Sequence, residues 1–353
     1  MTPALSVLDL VPVRSDQSTG DALAASRRLA QVADEVGFTR YWVAEHHNMP
    51  GVAATNPPVL IAMLAAATSR IRVGSGGVML PNHAPYVVAE QFALLEAAHP
   101  GRIDLGIGRA PGTDPLTRYV LRGGAGGAEE DPVARFPEYV DEVGLLLEPD
   151  GVDAQLGARR HGLKATPAAR TVPDVWLLGS SDYSARLAAD RGLPYVFAHH
   201  FAGKGTAEAL ALYRESYQPS EAHPEPRTFL TVNAVVAPTY AEAERRALPN
   251  QQSMLALMHG APLFPQRLVE DAELIGVPPE QERLAAAMLR RWVVGDPQGA
   301  AAQVRELAAT YGVDEVMVHP VAGALKGTPR DAAPAREETL RLLATALTGA
   351  QSA

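Results

Sequence analysis

Four groups of residues in this chain of 353 have types and spacings that chemistry can use. Glu45-His46-His47 follows four largely apolar residues, Tyr41–Ala44. Imidazole exchanges protons near neutral pH and also ligates metals. Neighbouring side chains on an extended chain point to opposite sides, so only one of the two histidines can readily face a given site. The alternative is that both are hydrogen-bonded packing residues at a strand end. A metal centre would need further ligands, and His199-His200 is the pair that could join them. Gly74-Ser75-Gly76-Gly77 puts glycine inside a strand pattern, which marks either a bulge or bare backbone against which a flat ring can lie. Ile103–Arg109 holds two glycines but lacks the third glycine and the following helix of a dinucleotide fingerprint. What remains there is Arg109, an anchor for phosphate or one half of a surface ion pair. Ser180, Ser181 and Ser184 bracket a predicted helix start, where free N–H groups and the helix dipole favour an anion. Serine is also an ordinary helix cap. Together with Arg109 these serines sketch a phosphate cradle.

Such chemistry needs a frame that brings distant segments to one place. Short apolar runs alternate with longer helical patterns, as parallel βαβ units require. Strands are predicted at Leu5–Leu10, Tyr41–Ala44, Arg70–Val73 (continuing through the glycines to Pro81), Arg102–Gly108, Asp174–Leu178, Pro194–Ala198, Phe229–Val236 and Glu315–Val318. Helices are predicted between them, among others at Asp21–Val36 with Gly37 as its stop, at Pro58–Thr68 behind an Asn56 cap, and at Tyr86–Ala98. Eight such strands suit an α/β fold, a (β/α)8 TIM barrel, with insertions after several strands. The C-terminal strand ends of a barrel form one face, where active sites lie. All four groups of residues fall at that face.

Three stretches break the rhythm. Ala110–Ala134 is rich in glycine and proline and carries Gly123-Gly124-Ala125-Gly126-Gly127, which reads as a flexible loop. Asp150–Pro173 reads as irregular. Tyr240–Gln298 mixes helical pattern with proline breaks and must add helices, of the kind that form lids or subunit contacts. None marks a boundary, so a single domain over residues 1–348 is expected, with 349–353 as a flexible tail.

Composition narrows the function. A formal net charge of −9 argues against a nucleic-acid partner, which requires a basic surface. With no cysteine, thiolate metal sites and a cysteine nucleophile are excluded. No window approaches the roughly 18 apolar residues of a membrane span, and the first residues lack the basic and apolar regions of a signal peptide. A cytoplasmic protein with no membrane partner is expected.

Taken together, Tyr41–His47, Arg72–Pro81, His99–Arg109 and Trp176–Ser181 resemble the luciferase-like flavin-dependent monooxygenases and oxidoreductases, in the expected order across the first 200 residues. Residues 201–353 match in pattern rather than motif. The resemblance implies a barrel, usually a homodimer, with flavin mononucleotide (FMN) at its C-terminal mouth. By position it implies Arg109, Ser180, Ser181 and Ser184 as phosphate contacts, and Gly76 and Gly77 as a cis or bulged peptide behind the isoalloxazine. It makes Gly108 a further cofactor contact, where certain luciferase subunits have cysteine, so light emission is not implied. It places His46 near the reactive edge of the flavin as the catalytic residue. The implied activity is oxygenation of a small organic substrate by reduced FMN and O2, with a separate reductase as a partner. Three alternatives stand beside it: deazaflavin-dependent hydride transfer, flavin binding without turnover, and a metal-dependent hydrolase built on His46, His47, His199 and His200.

Overall fold

Eight parallel strands close on themselves in the computed structural model, which describes residues 2–110, 112–123, 132–167, 169–201, 203 and 205–349. The barrel strands are β1 (Ala4–Asp9), β2 (Arg40–Val43), β3 (Arg72–Ser75), β5 (Ile103–Gly108), β8 (Asp174–Gly179), β9 (Tyr195–Phe197), β10 (Thr228–Val236) and β12 (Glu315–Pro320). They pair in the order β1-β2-β3-β5-β8-β9-β10-β12, and β12 returns to β1. All eight lie on predicted strands. A two-residue strand, β4 (Val78–Met79), continues β3 beyond a cis Gly76–Gly77 peptide and pairs with β5. Of the two arrangements expected for that peptide, bulged or cis, the structure has the second.

The helices start where the local chemistry favours them. In α1 (Thr19–Glu35), Ser18 and Asp21 form a reciprocal capping box. In α2 (Pro57–Ala67), the Asn56 side chain accepts from the Val59 amide and proline occupies the first turn. The next helix, α3, spans Pro85–Ala98.

Two insertions differ from expectation, and the third has the expected helices together with an unexpected strand. Within 110–134, Asp114 caps a seven-residue helix, α4 (Pro115–Leu121); Gly124–Gly127 of the predicted flexible run lie outside the described residues. Within 150–173, the chain forms an antiparallel hairpin, β6 (Val152–Leu156) and β7 (Arg159–Leu163), rather than irregular coil. Within 240–298, helices α8 (Tyr240–Met258), α9 (Val269–Ile275) and α10 (Glu282–Leu289) are joined by β11 (Val293–Gly295), which pairs with the end of β10. Ala350–Ala353 of the expected tail also lie outside the described residues.

Alternation of side chains along each strand fills the barrel in layers. At the bottom, buried Arg40 bonds Asp104 at 2.8 Å and Glu315 at 2.7 Å, and Ser6 donates to Glu315. Above it lie Leu8, Trp42, Trp176, Val196, Phe229 and Met317. The Arg40 guanidinium sits 4.8 Å from the centroid of the Trp176 ring, a favourable contact in a desolvated layer. These two layers close the barrel from below, so the space above the aromatic rings opens toward the C-terminal mouth.

Candidate functional site

That space is a cavity of about 360 Å³, within the range of small-molecule and cofactor sites. The strand period of two continues past the strand ends and decides what lines it. On β2 the inward series is Trp42, Ala44 and His46; on β9 it is Val196, Ala198 and His200. His47 and His199 therefore face away. The Nε2 of His47 bonds Glu45 at 2.8 Å, and Nδ1 of His199 bonds Thr206 at 2.8 Å. Among the described residues no group of three or more His, Cys, Asp or Glu side chains is arranged to hold a metal. The four histidines of the hydrolase alternative do not converge.

All eight residues assigned from the sequence to catalysis or cofactor binding line this one cavity: His46, Gly76, Gly77, Gly108, Arg109, Ser180, Ser181 and Ser184. A second, wider depression of about 640 Å³ lies beside α4, against His83, Arg118 and Tyr119, and none of the eight touches it. The narrower cavity is the candidate site, because it gathers the polar groups over an apolar floor.

Backbone close to the cavity is bare for steric reasons. A Cβ on Gly77 would lie 2.7 Å from the carbonyl oxygen of Gly106, and one on Gly179 only 2.3 Å from Oγ of Ser184. Only glycine fits either place. The second contact seats the first turn of α6 (Asp182–Asp190) against the end of β8. Ser181 occupies the N-cap position of α6 but makes no side-chain capping bond. Ser180, Ser181 and Ser184 around the start of α6 line the cavity, and the leading amides of that helix have no intrahelical acceptors. Arg109 stands across from them over the Tyr183 ring, 4.0 Å from its centroid.

His46 has the opposite character. Burial removes water from the imidazole and pushes its pKa down to about 4, against a smaller upward pull from Glu45. Its Nδ1 is buried with no hydrogen-bond partner. The ring is neutral at neutral pH, and among the described residues no acceptor holds Nδ1. Glu45, next to it, is fully buried. Burial opposes its ionisation, yet bonds from His47 and His83 and from the Met79 amide prevail and hold its pKa near 2.

Three further polar side chains at the cavity were not singled out from the sequence, Thr231 and Asn233 on β10 and His319 on β12; His200, one of the histidines weighed for a metal centre, lines it as well. Asn233, His319 and His200 stand at inward positions in the C-terminal half of their strands or just past them, the rule already used for His46, whereas Thr231 is the fourth of nine residues in β10. Over the mouth, α8 contributes Asn250, Met254 and Leu257 from one face. The long insertion thus supplies a wall of the cavity.

Comparison with known proteins agrees with this architecture. A family model described as luciferase-like monooxygenase matches residues 4–315. The chain is 42% identical over 315 residues to the Bacillus subtilis protein YvbT, covering 89% of this chain and 90% of that one. It is 39% identical over 324 residues to a luciferase-like monooxygenase of Escherichia coli K12, covering 90% and 91%. The crystal structure of apo-MsnO8 superposes with a TM-score of 0.83 at 32% identity, covering 98% of each chain.

Proposed function

This chain belongs to the luciferase-like monooxygenase family, and from that premise we propose that it is a flavin-dependent monooxygenase, using reduced FMN and O2 to oxygenate a small organic substrate. The observation that carries the reading is the two-ended cavity. An uncapped helix start faced by Arg109 stands at one end, and at the other bare Gly76–Gly77 backbone with a neutral imidazole whose Nδ1 has no partner among the described residues.

The residues present suit the group. Arg109 and the α6 amides would hold a dianionic phosphate by charge-assisted bonds, with Ser180, Ser181 and Ser184 adding hydroxyl donors. Gly76, Gly77 and Gly108 leave bare backbone at the cavity wall, against which a flat ring would lie. Reduced flavin supplies the electrons by which one oxygen atom of O2 enters the substrate and the other leaves as water. The apolar lining from Leu8, Trp42 and Met254 keeps bulk water from the reacting atoms. His46, which is neutral, accepts or returns a proton at Nε2. In this reading reduced flavin comes from a separate reductase and the chain works as a homodimer.

Titration with FMN in both redox states and with a deazaflavin tests the proposal, followed by oxygen uptake with reduced FMN. FMN is expected to bind at micromolar concentrations or below, and reduced FMN to support substrate-dependent oxygen uptake. Anaerobic turnover with the deazaflavin alone would sink the monooxygenase reading.

A further inference from the structure

The residues assigned above to the cofactor come from four consecutive barrel strands: β2, β3, β5 and β8. The other half of the mouth is built from β9, β10, β12 and β1, and it carries its own polar set. His200, Thr231, Asn233 and His319 stand there against Leu8 and Leu10. The flavin reading gives none of these four polar side chains a role.

Its hydrogen bonds fix which atoms face a ligand. The Thr231 hydroxyl donates to the carbonyl of Phe197 at 3.1 Å, so its oxygen accepts from Nδ1–H of His200 at 2.8 Å. The Asn233 amide nitrogen donates to the carbonyl of His200 at 3.0 Å, which turns Oδ1 toward His319. A carbonyl oxygen only accepts, so His319 donates to it from Nδ1, also at 3.0 Å. Both rings are thereby set as Nδ1–H tautomers. Each keeps a lone pair on Nε2, which makes no hydrogen bond among the described residues. The two rings meet edge to face with centroids 6.2 Å apart. Burial is the leading cause that lowers the pKa of both, to about 4 for His200 and well below the ordinary range for His319. Both are uncharged at neutral pH.

We propose that His200 and His319 form the substrate-recognition site of this cavity, accepting hydrogen bonds from two hydroxyl or N–H donors on a neutral, largely apolar substrate. Leu8, Val196, Met254 and Met317 pack its hydrocarbon part. The inference rests on the flavin reading of the opposite half, which leaves this half free for substrate. The selectivity follows from desolvation. An enclosed acceptor left without a donor costs free energy, so a ligand lacking the donor is rejected. A carboxylate placed there meets two lone pairs and is rejected as well. Thr231 and Asn233 are positioning residues, acting through the tautomers they impose.

Binding of a graded set of probes decides the matter: resorcinol, 3-methoxyphenol, 1,3-dimethoxybenzene and 3-hydroxybenzoate, followed by quenching of tryptophan fluorescence in the intact protein. Trp42 lines the cavity and reports occupancy. Affinity is expected to fall about tenfold for each methylated hydroxyl, the upper range for one neutral bond, with 3-hydroxybenzoate weaker than resorcinol. His200→Leu and His319→Leu should each erase one step of that ladder. Thr231→Val should erase the His200 step without removing the ring, and His200→Gln, which keeps an acceptor, should restore part of it. Circular dichroism identifies any variant that fails to fold, and the remaining variants carry the comparison. Equal binding of the three neutral probes, no saturable binding of resorcinol, or an unchanged ladder in the folded variants would overturn the proposal. FMN titration of the same samples keeps the two readings apart. A ladder without FMN binding sinks the cofactor assignment and leaves the acceptor pair standing; FMN binding without a ladder does the reverse.

Discussion

Arg109 at the end of β5 sits over the ring of Tyr183 in the first turn of α6, its guanidinium carbon 4.0 Å from the ring centroid. Stacking on an aromatic face leaves the in-plane N–H groups of arginine free to meet an anion. It also ties the cation to the helix whose leading amides have no side-chain cap. Two sources of positive potential thus converge on one rim of the cavity, held together by a phenol ring.

Arg109→Ala is expected to weaken FMN binding about a hundredfold, the loss of charge-assisted bonds to a dianion. Arg109→Lys should recover only part of this, because an ammonium neither stacks nor forks. Tyr183→Leu should cost about threefold, the loss of a partly exposed cation–π contact. Riboflavin has the ring without the phosphate and provides the control. Its affinity should move less than about twofold in all three variants. Equal losses for FMN and riboflavin would refute the phosphate assignment.

The Glu45 carboxylate is predicted to be a stability element as well as a neighbour of His46. One oxygen accepts from Nε2 of both His47 and His83 at 2.8 Å each, and the other accepts from the Met79 amide at 2.9 Å. In Glu45→Gln the amide nitrogen cannot accept, so one buried donor is turned against another. The expected loss is about 2–4 kcal/mol, read from urea denaturation. A value within about 0.5 kcal/mol of the parent, the usual range for a neutral surface change, would show that these bonds do not hold the site together.

Most of the barrel was legible because its strands are apolar runs bounded by turn residues, and alternation with helical pattern survives local irregularity. Three features were not. Strand β11 is only Val293–Gly295, too short for any period to register, and its pairing with β10 is a tertiary fact. Strand β7, Arg159–Leu163, is exposed along its length, so no burial pattern marks it. Helix α4 buries none of its residues and leaves no apolar stripe. At the site, parity along β2 already separates His46 from His47, since Trp42 and Ala44 are the inward positions. The same parity separates His200 from His199. His319 and Asn233 needed no new principle, only the strand-end rule applied to β10 and β12 as it was to β2. The pairing of His200 with His319 was beyond the sequence, because the hydrogen bonds that set their tautomers join different strands, 31 residues apart for His200 and Thr231 and 86 for His319 and Asn233.

Acid should destabilise the protein in two stages. His46 and His200 fall from 6.5 to about 4 on folding, mainly through burial. Between those values the unfolded chain binds protons that the folded chain refuses, so stability decreases as pH drops. Each contributes at most about 3 kcal/mol. Glu45 moves from 4.5 to about 2 on folding; its stabilisation is complete above about 4.5 and disappears as pH falls through 2. The midpoint temperature should therefore be level from pH 8 to 7, decline from about 6.5 to 4, and decline further below that. His200→Leu should make the first decline shallower, since His46 and His319 still contribute to it, and leave the second. A midpoint constant from pH 7 to 4 would contradict the buried neutral imidazoles.

Gly179→Ala tests whether the placement of α6 matters to the cofactor. A Cβ at this position would lie 2.3 Å from Oγ and 2.5 Å from Cβ of Ser184. Ser184 is buried, with Ala185 and Ala188 fully buried beside it, so the side chain cannot swing clear and the first turn of the helix must move. Overpacking of this kind costs about 1–3 kcal/mol. The same shift displaces the leading amides and Ser181 relative to Arg109, so FMN affinity should fall about tenfold more than riboflavin affinity. Gly144→Ala in helix α5 (Phe136–Leu147) is the control, because its Cβ meets nothing within 4 Å. That change should stabilise the chain by about 0.5–1 kcal/mol through helix propensity alone and leave both flavin affinities unchanged. A folded Gly179→Ala protein that binds FMN as tightly as the parent would separate the helix start from phosphate binding and leave Arg109 to act without it.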